Sequence, residues 1–228
     1  PFSHWQLEEL GLEHPNPLWK AKEGERTIAA LTFIPLVRAI GSVGNNESDL
    51  GYSTYFGGRL EGALGKKWRA SVDYLRGFDR PMPYRRTIAD SIFSVPSMGK
   101  SFQGSTLGYQ QFGFEIGWHP TQEIELFVGR GKQFIGEGYR SLFLSDYAPN
   151  YNYAKALVDV WKLKYMALYT SMVQPTQYPN AYGEEVRKYS ASHYVSLNIT
   201  DWWTVGGFDV VLWNQEDSAQ KRNFDMQY

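Results

Sequence analysis

The fold is decided by one stretch: Tyr109-Gln110-Gln111-Phe112-Gly113-Phe114-Glu115-Ile116-Gly117-Trp118, then His119-Pro120-Thr121-Gln122, then Glu123-Ile124-Glu125-Leu126-Phe127-Val128-Gly129. Successive side chains of an extended chain point to opposite faces. Phe112, Phe114, Ile116 and Trp118 therefore share one face, and Gln111, Gly113 and Glu115 share the other. His119-Pro120-Thr121-Gln122 reads as a turn, because proline cannot donate to a ladder. On the return run Ile124, Leu126 and Val128 alternate with Glu123, Glu125, Phe127 and Gly129. The pattern is that of an antiparallel hairpin with one apolar and one polar face.

The same period extends along the chain. Phe56, Leu60 and Leu64 alternate with Gly57, Arg59 and Glu61, a turn falls near Gly65-Lys66, and Trp68, Ala70, Val72 and Tyr74 alternate with Lys67, Arg69, Ser71 and Asp73. Trp161, Leu163, Tyr165, Ala167 and Tyr169 oppose Lys162, Lys164 and Thr170. His193, Val195, Leu197 and Ile199 oppose Ser192, Ser196 and Asn198. After a turn at Thr200-Asp201, Phe208, Val210 and Leu212 oppose Asp209 and Val211. Residues 27–42 read as a further strand, with an open register because 28–35 is apolar on both faces. Most of these runs have about ten residues, the length of a membrane-crossing strand rather than the ~5–6 of a globular one. Tight turns alternate with long links at 77–105, 131–153 and 174–188, the layout of an outer-membrane barrel.

Composition agrees with that reading. The chain has 16 Tyr, 13 Phe and 8 Trp, 16% aromatic in all, with a mean hydropathy of only -0.44. A barrel wall produces this combination, because only alternate residues face lipid and aromatic girdles mark its rims. An aromatic-rich soluble sandwich that binds carbohydrate would share it. Lys plus Arg (23) balances Asp plus Glu (24), which leaves no electrostatic footprint for nucleic acid. The absence of cysteine excludes disulfides and Cys-based zinc sites. No stretch approaches the ~20 apolar residues of a membrane helix.

On the polar face, Arg59, Glu61, Lys67, Arg69, Asp73, Glu115, Glu123, Glu125, Lys162 and Lys164 carry both signs. They need water or partners, as a hydrated or salt-bridged lumen provides. Catalytic signatures are missing. His4, His14, His119 and His193 lack metal-ligand spacing; His119 is a turn residue, and His193 sits near the end of an apolar strand face. Gly136-Glu137-Gly138-Tyr139-Arg140-Ser141 is not a nucleophile elbow, and Gly129-Arg130-Gly131-Lys132 is not a phosphate loop. Glu123 and Glu125 are an i, i+2 carboxylate pair, a weak glycosidase signal.

At the start, Trp5, Leu7, Leu10 and Leu12 have helical spacing, Ser3 can cap, and Pro15 and Pro17 stop the run. A short helix over 2–12, periplasmic or plugging, is expected. The chain opens at Pro1 and closes on Phe224-Asp225-Met226-Gln227-Tyr228 in strand-like sequence. A processed or partial product is the expectation.

One run carries a family likeness. Gly129-Arg130-Gly131-Lys132-Gln133-Phe134-Ile135-Gly136-Glu137-Gly138-Tyr139-Arg140-Ser141-Leu142-Phe143-Leu144-Ser145-Asp146 resembles the Wzi-like capsule-assembly outer-membrane barrels, in the branch labelled gliding-motility proteins. Trp161-Lys162-Leu163-Lys164-Tyr165, His193-Tyr194, Asn198-Ile199-Thr200, Phe224 and Gln227-Tyr228 are also similar to it, so the likeness spans 52–228. It implies a larger barrel with later strands, a periplasmic helical element, and a non-enzymatic role in retaining or organising surface polysaccharide. The capsule-anchoring members read nearer to W-G-P-G where this chain has Phe134-Ile135-Gly136-Glu137-Gly138, which opens the question of sugar specificity. In the run itself, Gly131, Gly136 and Gly138 suit a folded-back loop. Lys132, Glu137, Tyr139, Arg140 and Asp146 are the candidates either for contacting a sugar or for bracing the lumen by salt bridges.

The reading is thus an all-β antiparallel transmembrane barrel, about 8–10 strands of it present. Residues 1–23 form a helical segment and 24–228 the barrel. Its setting is the bacterial outer membrane, and its partners are outer-membrane lipid, surface polysaccharide and other envelope proteins, with no cofactor, metal or catalytic residue. A transport channel of the same architecture, with an open pore, is one alternative. A soluble carbohydrate-binding or glycoside-cleaving sandwich is the other.

Overall fold

The computed structural model describes residues 19–23, 26–43, 50–91, 106–135, 144, 148–173, 187–200, 202–214, 216–217 and 220–221. They are all-β apart from one short helix. Ten strands run in chain order: β1 (Trp19–Glu23), β2 (Arg26–Val43), β3 (Leu50–Leu64), β4 (Trp68–Arg80), β5 (Leu107–Trp118), β6 (Ile124–Gly131), β7 (Tyr151–Val160), β8 (Leu163–Val173), β9 (Arg187–Thr200) and β10 (Trp203–Asn214). Each pairs antiparallel with the next, giving a single ten-stranded meander. The sheet is not closed: among the described residues β1 and β10 each keep one unpaired edge.

The connections differ sharply between the two ends. At one end they are short, at 65–67, 119–123 and 161–162. At the other, 81–106 and 132–150 separate consecutive strands. The expected long link at 77–105 is corrected in part. β4 continues to Arg80, and a helix, α1 (Pro83–Ser91), follows. Pro83 occupies its first position, where a missing N–H costs nothing, and Thr87 Oγ1 donates to Pro83 O at 3.1 Å.

Register bears out the alternation. Ile116 lies opposite Val128, Trp118 opposite Leu126, and Leu60 opposite Val72. Paired residues share a face, so these belong to one surface, here called outer, with Phe112 and Phe114. The open register of 27–42 is settled by β3: Phe33 faces Leu60 and Val37 faces Phe56, both on the outer side, while Ile34 is buried on the inner side. Trp161 does not open a strand; it sits in the two-residue tip between β7 and β8. Lys67, Glu123 and Lys162 likewise lie in turns rather than on a strand face. Phe208, Val210 and Leu212 alternate with Asp209 and Val211 as expected, but face Tyr194, Ser192 and Ser190, which places them on the inner side. The helix expected over 2–12 lies outside the described residues, and Trp19–Glu23 already pairs with β2.

Burial sits on the inner face of β6–β8. Phe127, Ile135, Tyr151, Tyr153, Met166 and Leu168 form one buried cluster, against which Leu144, Ala148 and Leu157 pack. Ile135 and Leu144 belong to the connection after β6 and are bridged to each other, Ile135 N donating to Leu144 O at 2.9 Å. The connection therefore folds back over the inner face. Nothing among the described residues covers the outer face, where Tyr52, Phe56, Leu60, Leu64, Trp68, Val72, Phe112, Ile116, Val128, Leu163, Val195, Leu197 and Val205 are exposed.

Candidate functional site

The functional candidates cluster where the 132–150 connection meets the inner face. Three rows across the ladder build the site. In the first, Glu115 on β5, Gly129 on β6 and Tyr153 on β7 lie side by side. A Cβ on Gly129 would run into Phe114 O and lie 3.0 Å from Tyr153 Oη. The glycine thus leaves room for the tyrosine to cross β6, and the Tyr153 hydroxyl donates to Glu115 Oε2 two strands away.

The second row is Gly117, Phe127 and Lys155. The Phe127 ring occupies the space that a side chain at Gly117 would need, with atoms 2.7 Å from an ideal Cβ. Lys155 Nζ lies 4.5 Å from the centroid of that ring, in cation–π reach. His119 meets the Phe127 ring edge-on at 5.8 Å, and its Nε2 is 3.5 Å from Glu125 Oε2. In the third row Gly131 lies opposite Tyr151.

The connection is fastened to these rows by one residue. Gln133 N donates to Tyr151 Oη at 3.1 Å, and Lys155 Nζ donates to Gln133 Oε1 at 3.1 Å. Lys155 is only 8% exposed, so its ammonium depends on partners: Gln133, the Phe127 face and Glu115 at 3.8 Å. Charge, hydrogen bond and ring face together make a dry clamp. Its groups are engaged with one another, an arrangement that holds the chain rather than activates a nucleophile.

A second polar cluster lies on the inner face of β3 and β4. Arg59 Nη2 is 3.3 Å from Asp73 Oδ1, and Arg59 Nη1 is 3.6 Å from Glu61 Oε1. Asp73 lies over Gly113 of β5, whose absent side chain leaves the carboxylate its space. Arg59 and Asp73 are the two charges whose meeting the alternation foretold. Glu123, half of the carboxylate pair, stays in an exposed turn, while Glu125 faces His119. Among the described residues no group of His, Asp and Glu is placed to hold a metal.

Of the five candidate ligand residues, Lys132 is half-buried at the start of the connection, next to Gln133. Glu137, Tyr139, Arg140 and Asp146 lie outside the described residues. Sequence reading passed over Gln133, Tyr151, Tyr153 and Lys155, because 131–153 read as one long link. The signal was present. Tyr151, Tyr153 and Lys155 alternate with Asn152, Ala154 and Ala156, bulky residues on one side and small ones on the other. Comparison of this chain with protein-family models, with curated proteins and with solved structures finds no match.

Proposed function

We propose that this sheet is part of the wall of a bacterial outer-membrane β-barrel, a non-enzymatic protein that attaches or assembles surface polysaccharide of the capsule or exopolysaccharide type. The observation that carries the reading is the exposed outer face. A domain ordinarily buries each apolar sheet face under a second layer. Here the apolar face has no second layer among the described residues and continues from β2 across to β9. A soluble monomer rarely exposes one apolar patch above roughly 300–600 Å². The total accessible surface, 16040 Å² for 26.2 kDa, compares with about 10,600 Å² for a compact monomer of that mass.

The dimensions suit a bilayer. On the outer face of β4, Trp68, Ala70, Val72 and Tyr74 precede Arg76. From Trp68 to Arg76 the strand rises about 27 Å, which at a tilt of ~40° spans about 20 Å of membrane. On β6 the apolar run Leu126-x-Val128 likewise ends at Arg130, whose Nη1 donates to Asn152 Oδ1 at 3.2 Å. The inner face, with its ion pairs and clamp, suits a lumen braced by the 132–150 connection. That cover supports a filled lumen over an open channel.

Polysaccharide is the proposed ligand because the run 129–146 resembles that of capsule-assembly barrels. Lys132, Glu137, Tyr139, Arg140 and Asp146 supply charged donors and acceptors and a flat ring. Fractionation of the native protein, followed by gel mobility of the detergent extract with and without boiling, tests the wall. An outer-membrane extract whose folded band shifts on boiling is expected. A soluble protein with one mobility would overturn it and favour a carbohydrate-binding sandwich. Retention of purified surface polysaccharide by the folded protein, lost in Lys132→Ala with Arg140→Ala, tests the ligand.

A further inference from the structure

The short-turn rim carries a feature that the polysaccharide reading does not use. Trp68 and Trp118 close the β4–β5 ladder as a cross-strand pair, stacked with centroids 5.8 Å apart. Trp161 is the first residue of the β7–β8 tip, and Trp202 and Trp203, stacked at 6.5 Å, stand at the start of β10. Because β8 pairs with β9, these two tips adjoin, and Lys162 ties them. Asn198 N donates to Lys162 O at 3.0 Å, and Lys162 Nζ donates to Ile199 O at 3.3 Å. The same ammonium lies 5.6 Å from the Trp161 ring centroid. Trp161 and Trp202 are 85% and 84% exposed.

A second observation is independent of exposure. Trp161 has φ 56, and it is the one non-glycine with positive φ among the described residues. Two-residue hairpin tips place Gly, Asn or Asp at such a position. A bulky side chain there is a conformational outlier, held against its own preference. An indole kept in that conformation and left bare serves something other than the tip.

We propose that Trp161, Lys162, Trp202 and Trp203 form an interfacial anchor that seats in the headgroup region of a phospholipid bilayer. The indoles lie at the acyl boundary, and Lys162 reaches lipid phosphate. This rests on the membrane-wall reading. Lipid is favoured over a sugar or a protein partner by continuity. Next to the anchor, the outer column of Leu163, Tyr165, Leu197, Ile199 and Val205 is exposed and apolar. Trp68 and Trp118 stand at the same end of the sheet, several strands away, so the tryptophans follow the rim rather than form one patch. Amphipathic rings favour that depth, where the ring meets acyl chain and the N–H meets water.

The test uses the full chain refolded into phosphatidylcholine vesicles whose acyl chains are brominated either near the headgroup or near the bilayer centre. The variants are Trp161→Gly, which suits the positive φ, and the triple change Trp161→Gly, Trp202→Ser, Trp203→Thr. Tryptophan emission of the parent is expected to be quenched more by shallow than by deep bromines. The triple variant should lose that shallow excess, and Trp161→Gly should lower it with no fall in thermal midpoint in detergent. A chain that inserts and shows the boiling-dependent mobility shift, yet keeps its shallow quenching in both variants, overturns the anchor and leaves the wall standing. A chain that shows neither the shift nor quenching at any depth overturns the wall and the anchor with it.

Discussion

Two stretches of the inner face start from the same alternation and end differently. On β3 and β4, Arg59, Glu61 and Asp73 meet as an ion cluster that water still reaches, Arg59 keeping 24% of its side chain exposed. On β5–β7, Glu115, Tyr153 and Lys155 meet under the 132–150 connection, and Lys155 retains 8%. The residue types overlap, but the surroundings do not. In the first stretch the charges are solvated and their pairing contributes little. In the second the connection excludes water, so each polar atom needs a protein partner and each ring gains by burial. Cover, rather than residue type, separates a wet patch from a clamp.

Four substitutions sharpen or break that contrast, each read from the urea unfolding midpoint of the full chain folded in detergent. Tyr153→Ala should have the largest effect, about 3 kcal/mol or more, as for truncation of a buried aromatic. It empties the row between Glu115 and the connection. A loss under 1 kcal/mol would mean that the clamp does not hold the sheet. Gly129→Val comes next, at about 1–3 kcal/mol, because its Cβ meets the Phe114 carbonyl and the Tyr153 hydroxyl. The same change at Gly207, where a Cβ meets nothing within 4 Å, should be close to neutral and serves as the control.

Lys155→Met asks what kind of force the clamp uses. Replacing a buried ion with an apolar side chain of similar length is often neutral or stabilising. Glu115 keeps the Tyr153 hydroxyl and some contact with water. A change within about 1 kcal/mol is expected; a much larger loss would make the clamp electrostatic rather than packed. The smallest effect belongs to the wet patch. A double-mutant cycle of Arg59→Ala and Asp73→Ala should give a coupling of about 0.2–1 kcal/mol. At 1 M salt it should fall, since the screening length is then about 3 Å. A coupling that salt leaves intact would show that the patch, too, is dry.

Much of the sheet was legible before any coordinate. The run from Phe112 to Val128 carries strand, turn and return with their faces, since period two is a local property of an extended chain. β7 was not legible in the same way. Tyr151, Tyr153 and Lys155 put bulk where the other strands put charge, and Ala154 and Ala156 leave its outer face small. Its pattern inverts once a connection lies on the inner side. The helix α1 was missed because its nine residues fall among Pro, Met and Arg that read as loop. The candidate site was legible at its edge alone: Lys132 was singled out, while its neighbour Gln133 makes the observed contacts to Tyr151 and Lys155.

By itself the amino-acid sequence determined that the chain forms long antiparallel strands with one apolar face, tight turns at one end and no disulfide. Those follow from side-chain alternation, proline and glycine placement and composition, all read within a few residues. Only the tertiary structure decided that Tyr153 reaches Glu115 over Gly129, that Gln133 fastens the connection, and that Phe208, Val210 and Leu212 face inward. Each depends on register between strands distant in sequence, and a shift of one residue would move every side chain to the other face.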